Sequence, residues 1–232
     1  ETGWEVCNKV GGIHTVISTK VLSLAGEFKN NHILIGPDVW RYNEPNPEFT
    51  EDAHLFKSWR VKAAQEGLRI KVGRWNVAGN PVAILVDFTS FIPQKDQILT
   101  SFWEKFQVDS LTGQWDYIEP VLFGYTAGKV IESFVRYHIS PRQRIIAQFH
   151  EWMTGSGMLY LKNALPQVGC VFTTHATVLG RSIAGNGLPL YDPMKDYNPV
   201  ETAHRFGVDS KQSLESKAAE WADCFTTVSD IT

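Results

Sequence analysis

Short apolar runs alternate along the chain with longer segments in which apolar residues recur at helical spacing. The runs have the length and the β-branched content of buried strands, and they cover residues 32–36, 68–72, 82–88, 144–149, 168–173 and 224–228. Helical spacing is found in residues 53–66, 94–106, 121–137 and 210–222. This alternation predicts an α/β fold with a mostly parallel sheet flanked by helices and joined by right-handed crossovers.

Local signals refine these elements. Phe102, Trp103 and Phe106 form the predicted core face of one helix, Pro120 suits the first turn of the next, and Ser210 is the predicted N-cap of the last. Proline and glycine punctuate residues 37–50 and 182–198. The second stretch exceeds the usual connection length, which is typical of functional or mobile loops.

Composition narrows the class of protein. A chain of 232 residues with 43% hydrophobic residues can form a sizeable core, and we expect one domain over residues 1–232. A formal net charge of −3 gives no basic surface for nucleic acid or an anionic membrane. No apolar run approaches the roughly 20 residues of a membrane span, and no signal peptide is recognisable, so we expect a cytoplasmic protein.

Cysteine usage agrees with that compartment. Cys7, Cys170 and Cys224 lie within or next to strand-like apolar runs, and no C-x-x-C pair occurs. This distribution predicts buried thiols in a reducing compartment rather than a disulfide framework.

The opening segment WEVCNKVGGI, which begins at Trp4, carries the first candidate chemistry. Its apolar run predicts a parallel strand that ends near Lys9, followed by Gly11, Gly12 and a helix. Adjacent glycines let a ligand approach the backbone, and the helix N-terminus would direct free N–H groups at a phosphate. The same pattern, taken alone, also fits a surface turn with a solvated lysine.

In two further segments an apolar, strand-like run is followed by a histidine at the point where the sequence becomes polar. One, IIAQFHEW, contains His150 and Glu151, and the other, CVFTTHAT, contains His175. Because the carboxyl ends of parallel strands meet at one edge of a sheet, the loops of Lys9, His150 and His175 are expected to converge on one cleft.

The three motifs WEVCNKVGGI, FHEWMTG and VFTTHATVLGR, in this order, resemble the N-terminal half of the glycogen synthases of the animal, fungal and Bacteroidetes type, glycosyltransferase family 3. The resemblance runs from Trp4 to Ser229. It implies the Rossmann-like N-terminal half of a GT-B glycosyltransferase, without the C-terminal nucleotide-sugar-binding domain. The implied reaction is retaining transfer of glucose from a nucleotide sugar, UDP-glucose or alternatively ADP-glucose, to the non-reducing end of glycogen or another α-1,4-glucan.

The resemblance also assigns site residues. Lys9, Gly11 and Gly12 would lie near the donor phosphates and sugar ring, and His150 would join them in substrate binding. No metal and no cofactor is implied, because the family neutralises the diphosphate with lysine and arginine. The fragment alone is expected to be inactive, and a homo-oligomer is left open.

Three residues would form the catalytic set. By resemblance, the backbone carbonyl of His175 faces the glucosyl unit, and Arg181 lies on the same cleft wall. Glu151 occupies the position of a carboxylate in the related bacterial starch-synthase motif, with Asp replaced by Glu. It could also only fix the loop, with Trp152 packed underneath.

Other functions fit less well. The sequence Gly155-Ser156-Gly157 is not the G-x-S-x-G elbow, and His150-Glu151 lacks the second histidine of H-E-x-x-H. A sucrose-synthase-like glucosyltransferase and a non-catalytic carbohydrate-binding or assembly module stay open as alternative functions.

Two sets of residues match no specific site. One is the set of potential metal ligands Asp192, Asp196 and His204. The other is the tryptophans, which fit a core better than a sugar platform: Trp40, Trp59, Trp75, Trp103 and Trp115.

Overall fold

The computed structural model describes residues 1–40, 44–140, 142–191 and 194–228. Within these ranges the strands are β1 (Ile33–Pro37), β2 (Phe49–Glu51), β3 (Arg69–Trp75), β4 (Val82–Asp87), β5 (Ile146–His150), β6 (Gly169–Thr174) and β7 (Cys224–Thr227). The α-helices are α1 (Gly12–Phe28), α2 (Lys57–Gln65), α3 (Lys95–Phe106), α4 (Trp115–His138), α5 (Trp152–Ala164), α6 (Val178–Gly185), α7 (Pro199–Phe206) and α8 (Asp209–Trp221). Both sets bear out the predicted α/β class.

The strands form two sheets that a single residue joins. One has the order β1-β4-β3-β2 and the other β5-β6-β7. Thr2 lies between β1 and β5 and bridges both in parallel, to Ile35 and to Phe149. The β1–β4, β5–β6 and β6–β7 pairs are parallel, whereas β3 runs antiparallel to β2 and β4. The prediction of a mostly parallel sheet therefore holds, with an antiparallel edge.

The predicted opening strand through Trp4 to Lys9 is wrong. The extended contact lies earlier, where the Thr2 amide donates to Gln148 O at 2.8 Å and the His150 amide donates to Thr2 O at 3.0 Å. Residues 4–7 form a turn, and Cys7 has a φ of 53°, which no strand residue adopts. This turn presses on β1 so closely that a Cβ at Gly36 would lie 2.2 Å from the Val6 carbonyl oxygen.

Helices cover both faces of the sheet around β1 and β4. Helix α1 packs Ile13, Ile17 and Val21 against one face. The larger core lies on the other face, where α4 and α5 are the most closely associated helices. A Cβ at Gly157 would lie 2.4 Å from Gly124 O, so these helices approach nearly to backbone contact. The closely packed pair α4 and α5 thus supports the sheet at β5 and β6, on which α5 lies.

Two helix details differ from the predictions. Helix α4 begins at Trp115, so Pro120 lies in its second turn rather than its first. Helix α8 begins at Asp209, and Ser210 is not its N-cap. The Ser210 hydroxyl instead contacts Thr112 Oγ1 at 3.0 Å, a long-range bond that no local pattern could reveal.

The tryptophans are divided between the core and the surface. Trp59 and Trp75 are fully buried, as predicted, and Trp40 is partly buried. Trp103 and Trp115 are about half exposed, so their assignment to the core was wrong. On α3 the buried face consists of Ile98, Phe102 and Phe106.

The predicted burial of the cysteines holds for two of the three. Cys7 and Cys170 are buried, whereas Cys224 is exposed at the start of β7, which is an edge strand. Burial raises the pKa of the Cys7 thiol and raises that of Cys170 to about 11. The two buried thiols are therefore protonated and shielded at neutral pH.

This difference predicts a thiol-labelling pattern for the chain. In the native state, a small disulfide reagent at pH 8 should modify Cys224 within minutes and the other two thiols only on unfolding. Mass spectrometry of the labelled peptides checks the assignment. A Cys224→Ser variant should lose the fast phase, and rapid labelling of Cys7 would contradict the packing of the opening turn.

Across the described residues, no helix combines the length and the apolar character needed to cross a membrane. The long stretch 182–198 is partly regular, because residues 182–185 form the end of α6 and Met194–Asp196 a short 3-10 turn. Asp192 and Pro193 within it lie outside the described residues. The expected mobility of this stretch stays a prediction.

Candidate active site

Two histidines meet at the carboxyl edge of the parallel strands. His150 ends β5, and His175 follows the end of β6; their rings are joined by a 2.9 Å hydrogen bond between His150 Nδ1 and His175 Nε2. The other nitrogen of His150, Nε2, lies 2.7 Å from the Glu1 carboxylate. The predicted convergence of the two histidine loops on one edge is confirmed.

The bonds of the pair define which nitrogens carry protons. Burial opposes ionisation of Glu1, but bonds from His150 and His32 outweigh it and hold the Glu1 pKa below its usual value. His150 therefore donates from Nε2 and accepts at Nδ1, which makes His175 Nε2 the donor between the rings. Burial lowers the pKa of His150 and lowers that of His175 to about 4, so both rings are neutral at pH 7.

His150 is a buried residue, with 2% of its surface exposed. Both of its ring nitrogens are already engaged within the protein. The geometry gives it a supporting place behind His175, and its predicted direct contact with substrate would require the pair to separate. His175 itself is only partly buried and is the member of the pair that can reach a ligand.

Glu151 connects the two histidine loops through its carboxylate. Its Oε1 accepts the amides of His175 at 2.7 Å and Ala176 at 3.1 Å, and Arg181 Nη2 lies 3.9 Å away. The residue is buried and has a φ of 65° and a ψ of 166°, a strained combination that is essentially restricted to glycine. Burial raises its pKa, and the two amide bonds oppose that rise. Such strain at a buried polar junction is typical of functional sites.

Glu5 plays the same part for the glycine loop, and no local pattern indicated this role. Its Oε2 accepts the amides of Gly11 at 2.7 Å and His14 at 2.9 Å. Two N–H groups that were predicted to face a phosphate are therefore already bonded to a carboxylate. Within the described part of the chain, the amides of Gly12 and Ile13 have no acceptor, and these are the ones that a ligand could use.

Lys9 and Gly12 face open space. The side chain of Lys9 is exposed and forms neither a hydrogen bond nor an ion pair with any described residue. A Cβ at Gly12 would meet no atom within 4 Å, whereas one at Gly11 would lie 3.3 Å from the Glu5 carboxylate. The loop therefore exposes one cation and one bare stretch of backbone at the edge of the site.

A third carboxylate, that of Glu215 on α8, holds the beginning of α6. Its Oε2 accepts the Val178 amide at 2.9 Å, and its Oε1 is buried with no partner among the described residues. Burial raises the pKa of Glu215 to about 7, and the charge of Glu151 acts in the same direction. Glu1, Glu5 and Glu215 were missed because a glutamate's tertiary partner cannot be read from its neighbours in sequence.

These contacts define which predicted residues come together. Hydrogen bonds join His150, Glu151 and His175, and Arg181 lies 3.9 Å from the Glu151 carboxylate. Glu5 bonds the Gly11 amide, and its charge helps to raise the pKa of Glu151. Lys9 and Gly12 lie on the glycine loop and, among the described residues, form no hydrogen bond or ion pair with His150, Glu151, His175 or Arg181. Among the described residues no group of three or more potential ligands could hold a metal ion. His204 instead lies 3.3 Å from Asp209, and Asp192 is outside the described residues.

The arrangement suits a polar ligand that is not itself strongly anionic. Buried carboxylates fix the backbone of both loops, and Lys20 is already paired with Glu1. Among the described residues, Arg181 and Lys9 are the exposed cations of the two loops. A diphosphate needs more positive charge than these two side chains supply. Neutral hydroxyl groups, by contrast, match the imidazole, amide and carbonyl groups of the loops.

Comparisons with known proteins show the family of this chain. A family model described as glycogen synthase matches residues 1–232. The chain is 32% identical to a glycogen [starch] synthase of Dictyostelium discoideum, 31% to the liver enzyme of Rattus norvegicus and 29% to isoform 2 of Saccharomyces cerevisiae. Each match covers 100% of this chain but 26%, 33% and 34% of the relative, so the chain spans about a quarter to a third of their length. The chain belongs to the glycogen synthase family.

Proposed function

We propose that the protein containing this chain transfers glucose from UDP-glucose to the non-reducing end of an α-1,4-glucan, with retention of configuration, and that this chain forms one wall of the cleft. The observation that carries the proposal is the Glu151 bracket: a buried, strained residue whose carboxylate fixes the backbone of His175 and Ala176 at the sheet edge. ADP-glucose is the alternative donor.

The geometry supports separate roles for the two loops: the His175 loop for the sugar and the glycine loop for the donor phosphates. Glucose transfer builds positive charge at the anomeric carbon while the diphosphate leaves with negative charge. Held by Glu151, the His175 loop offers carbonyl oxygens and a neutral imidazole to the sugar. Lys9 and the free amides of Gly12 and Ile13 lie on the neighbouring loop, where they can face the donor phosphates.

The proposal also explains why this wall should be inactive alone. The buried carboxylate of Glu151 lies beside Arg181, and Glu5 adds a second buried carboxylate at the glycine loop, so these groups cannot neutralise a diphosphate. Additional cations must come from the remainder of the protein, which in the relatives is about two thirds to three quarters of the length. A second domain that closes over this edge would supply them and exclude water from the activated sugar.

Gly12 provides a test of the ligand's position. A Gly12→Ala variant adds a methyl group to open space in the free protein, so the fold should be unaffected. If the donor lies against this backbone, the methyl group should clash with it and reduce kcat/KM by at least about tenfold, equivalent to about 1.4 kcal/mol. The measurement is glucose incorporation into glycogen by the full-length protein, with UDP-glucose and ADP-glucose as donors.

Gly26→Ala is the matched control, because Gly26 lies on the same helix and also faces open space. It should leave the kinetics unchanged and raise stability by about 0.5–1 kcal/mol. Equal kinetics in the two variants would move the donor away from Gly12. A product with inverted anomeric configuration, or transfer to fructose rather than to glucan, would overturn the proposed reaction.

A further inference from the structure

Helix α6 carries Arg181 and follows His175 directly, yet it has few contacts of its own. It has eight residues, and only Val178 and Ile183 are buried. Its N-terminus is capped twice: Thr177 Oγ1 accepts the Gly180 amide at 3.0 Å, and Glu215 accepts the Val178 amide at 2.9 Å. The second bond is the one that reaches another part of the fold.

Helix α8, which carries Glu215, is firmly packed. Its Leu214 and Ala218 are buried against α5, where a Cβ at Gly155 would lie 3.0 Å from Ala218 Cβ. Ser213 also accepts the Asp109 amide at 2.8 Å. Glu215 thus extends from a rigid support to the start of a short, lightly packed helix.

We propose that Glu215 is a positioning residue for glucose transfer: through its bond to the Val178 amide it sets the place of α6, and with it of Arg181 and the His175 loop. This inference rests on the proposed function. The carboxylate touches no predicted substrate-binding residue, so it acts through α6 alone. Its second oxygen is buried and has no partner in the described parts of the chain, so no other hydrogen bond from them holds the carboxylate in place.

The surroundings of Glu215 make this bond sensitive to pH. Burial is the main cause that raises the pKa of Glu215, and the charge of Glu151 acts in the same direction, while the Val178 amide and Arg181 on α6 lower it. On α7, His204 pairs with Asp209 rather than with Glu215. On α8 itself, Lys211 lies one turn before Glu215 and pairs with Asp116. Since its pKa is raised to about 7, Glu215 changes charge near neutral pH, where the two histidines stay neutral.

Ionisation should strengthen the bond to the Val178 amide, because an ionised acceptor forms a bond roughly twice as strong as a neutral one. The stability of the fold has the opposite trend. A carboxyl group with a raised folded-state pKa favours the fold below its unfolded value of 4.5, and this contribution is lost as the pH rises to about 7. Glu215→Gln should therefore be at least as stable as the wild type at pH 8.

The experiment compares Glu215→Gln, Glu215→Ala and the control Glu220→Gln in the full-length protein. Glu220 lies on the same helix but is exposed and pairs with Lys217. Wild-type kcat should rise through a midpoint near pH 7, and Glu215→Gln should stay at the low-pH value with KM little changed. Glu215→Ala should lower kcat by about tenfold or more, equivalent to about 1.4 kcal/mol.

Amide hydrogen exchange gives a readout that needs no activity. The α6 amides should exchange about tenfold faster in Glu215→Ala at pH 8, while those of α8 keep their protection. If the wild type transfers no glucose, the proposed function fails, and the exchange data still decide whether Glu215 places α6. Unchanged α6 exchange, or a Glu215→Gln variant with the wild-type pH profile, would overturn the positioning role, even if Glu215→Ala fails to fold.

Discussion

Replacing Glu151 with alanine should lower the rate of glucose transfer by the full-length protein by a factor on the order of 10² to 10³, as the loss of a preorganised polar group at an active site does. The carboxylate holds the amides of His175 and Ala176 and lies 3.9 Å from Arg181. Without it two partly buried amides lose their acceptor, and the loop that we propose to face the sugar is free to move. We expect the loss in kcat rather than in KM.

The strained backbone supplies a matched comparison. At a φ of 65° and a ψ of 166°, alanine keeps a strain of about 1–3 kcal/mol that glycine does not have. Glu151→Gly should therefore be more stable than Glu151→Ala, while both lose activity to the same extent. Glu151→Gln keeps one acceptor oxygen and should retain more of the loop's order than either.

Steady-state kinetics and thermal melts of the three variants separate the two effects. A Glu151→Gly variant with near-wild-type kcat would show that the carboxylate only compensates for a strained backbone. If activity falls only in proportion to the melting temperature across the three variants, the carboxylate has no role in transfer beyond its contribution to stability. Trp152, which stacks on Tyr117 at 6.0 Å next to the strained residue, must stay packed for the comparison to be valid.

The sheet was largely predictable because its signal is local. Apolar runs that are buried on both faces, such as Val82–Asp87, are recognisable by composition alone, and their alternation with helical segments specifies the class. The opening segment misled the prediction, since Val6 and Cys7 are as apolar as a strand. They are buried in a turn instead, and the absence of a side chain at Gly36 makes room for it.

The site was predictable only in part, for a related reason. His150 and His175 follow apolar runs and could be placed on one edge by the geometry of parallel strands. Their supports could not be placed, because Glu1, Glu5 and Glu215 come from distant segments and resemble ordinary surface acids in the sequence. The glycine loop shows the consequence: the pattern indicated amides free for a phosphate, but Glu5 already binds two of them.

Lys9→Ala should reduce turnover by a factor on the order of 10² to 10³ if this lysine meets the leaving diphosphate, because it removes a cationic donor from a site where negative charge grows. The fold should be unaffected. Lys9 is exposed and has no hydrogen bond or ion pair with the described residues, so its side chain contributes nothing that a melt could detect. Lys9→Arg keeps the charge in a bulkier planar group and should retain intermediate activity.

Lys57→Ala provides the matched control, since Lys57 is likewise exposed and unpaired among the described residues but begins α2 on another part of the fold. Its kinetics and melting temperature should both equal those of the wild type. Wild-type turnover in Lys9→Ala would make Lys9 a solvated loop lysine and would leave the free amides of Gly12 and Ile13 as this loop's contribution to phosphate binding. A large drop in melting temperature would instead make it structural, which its lack of contacts argues against.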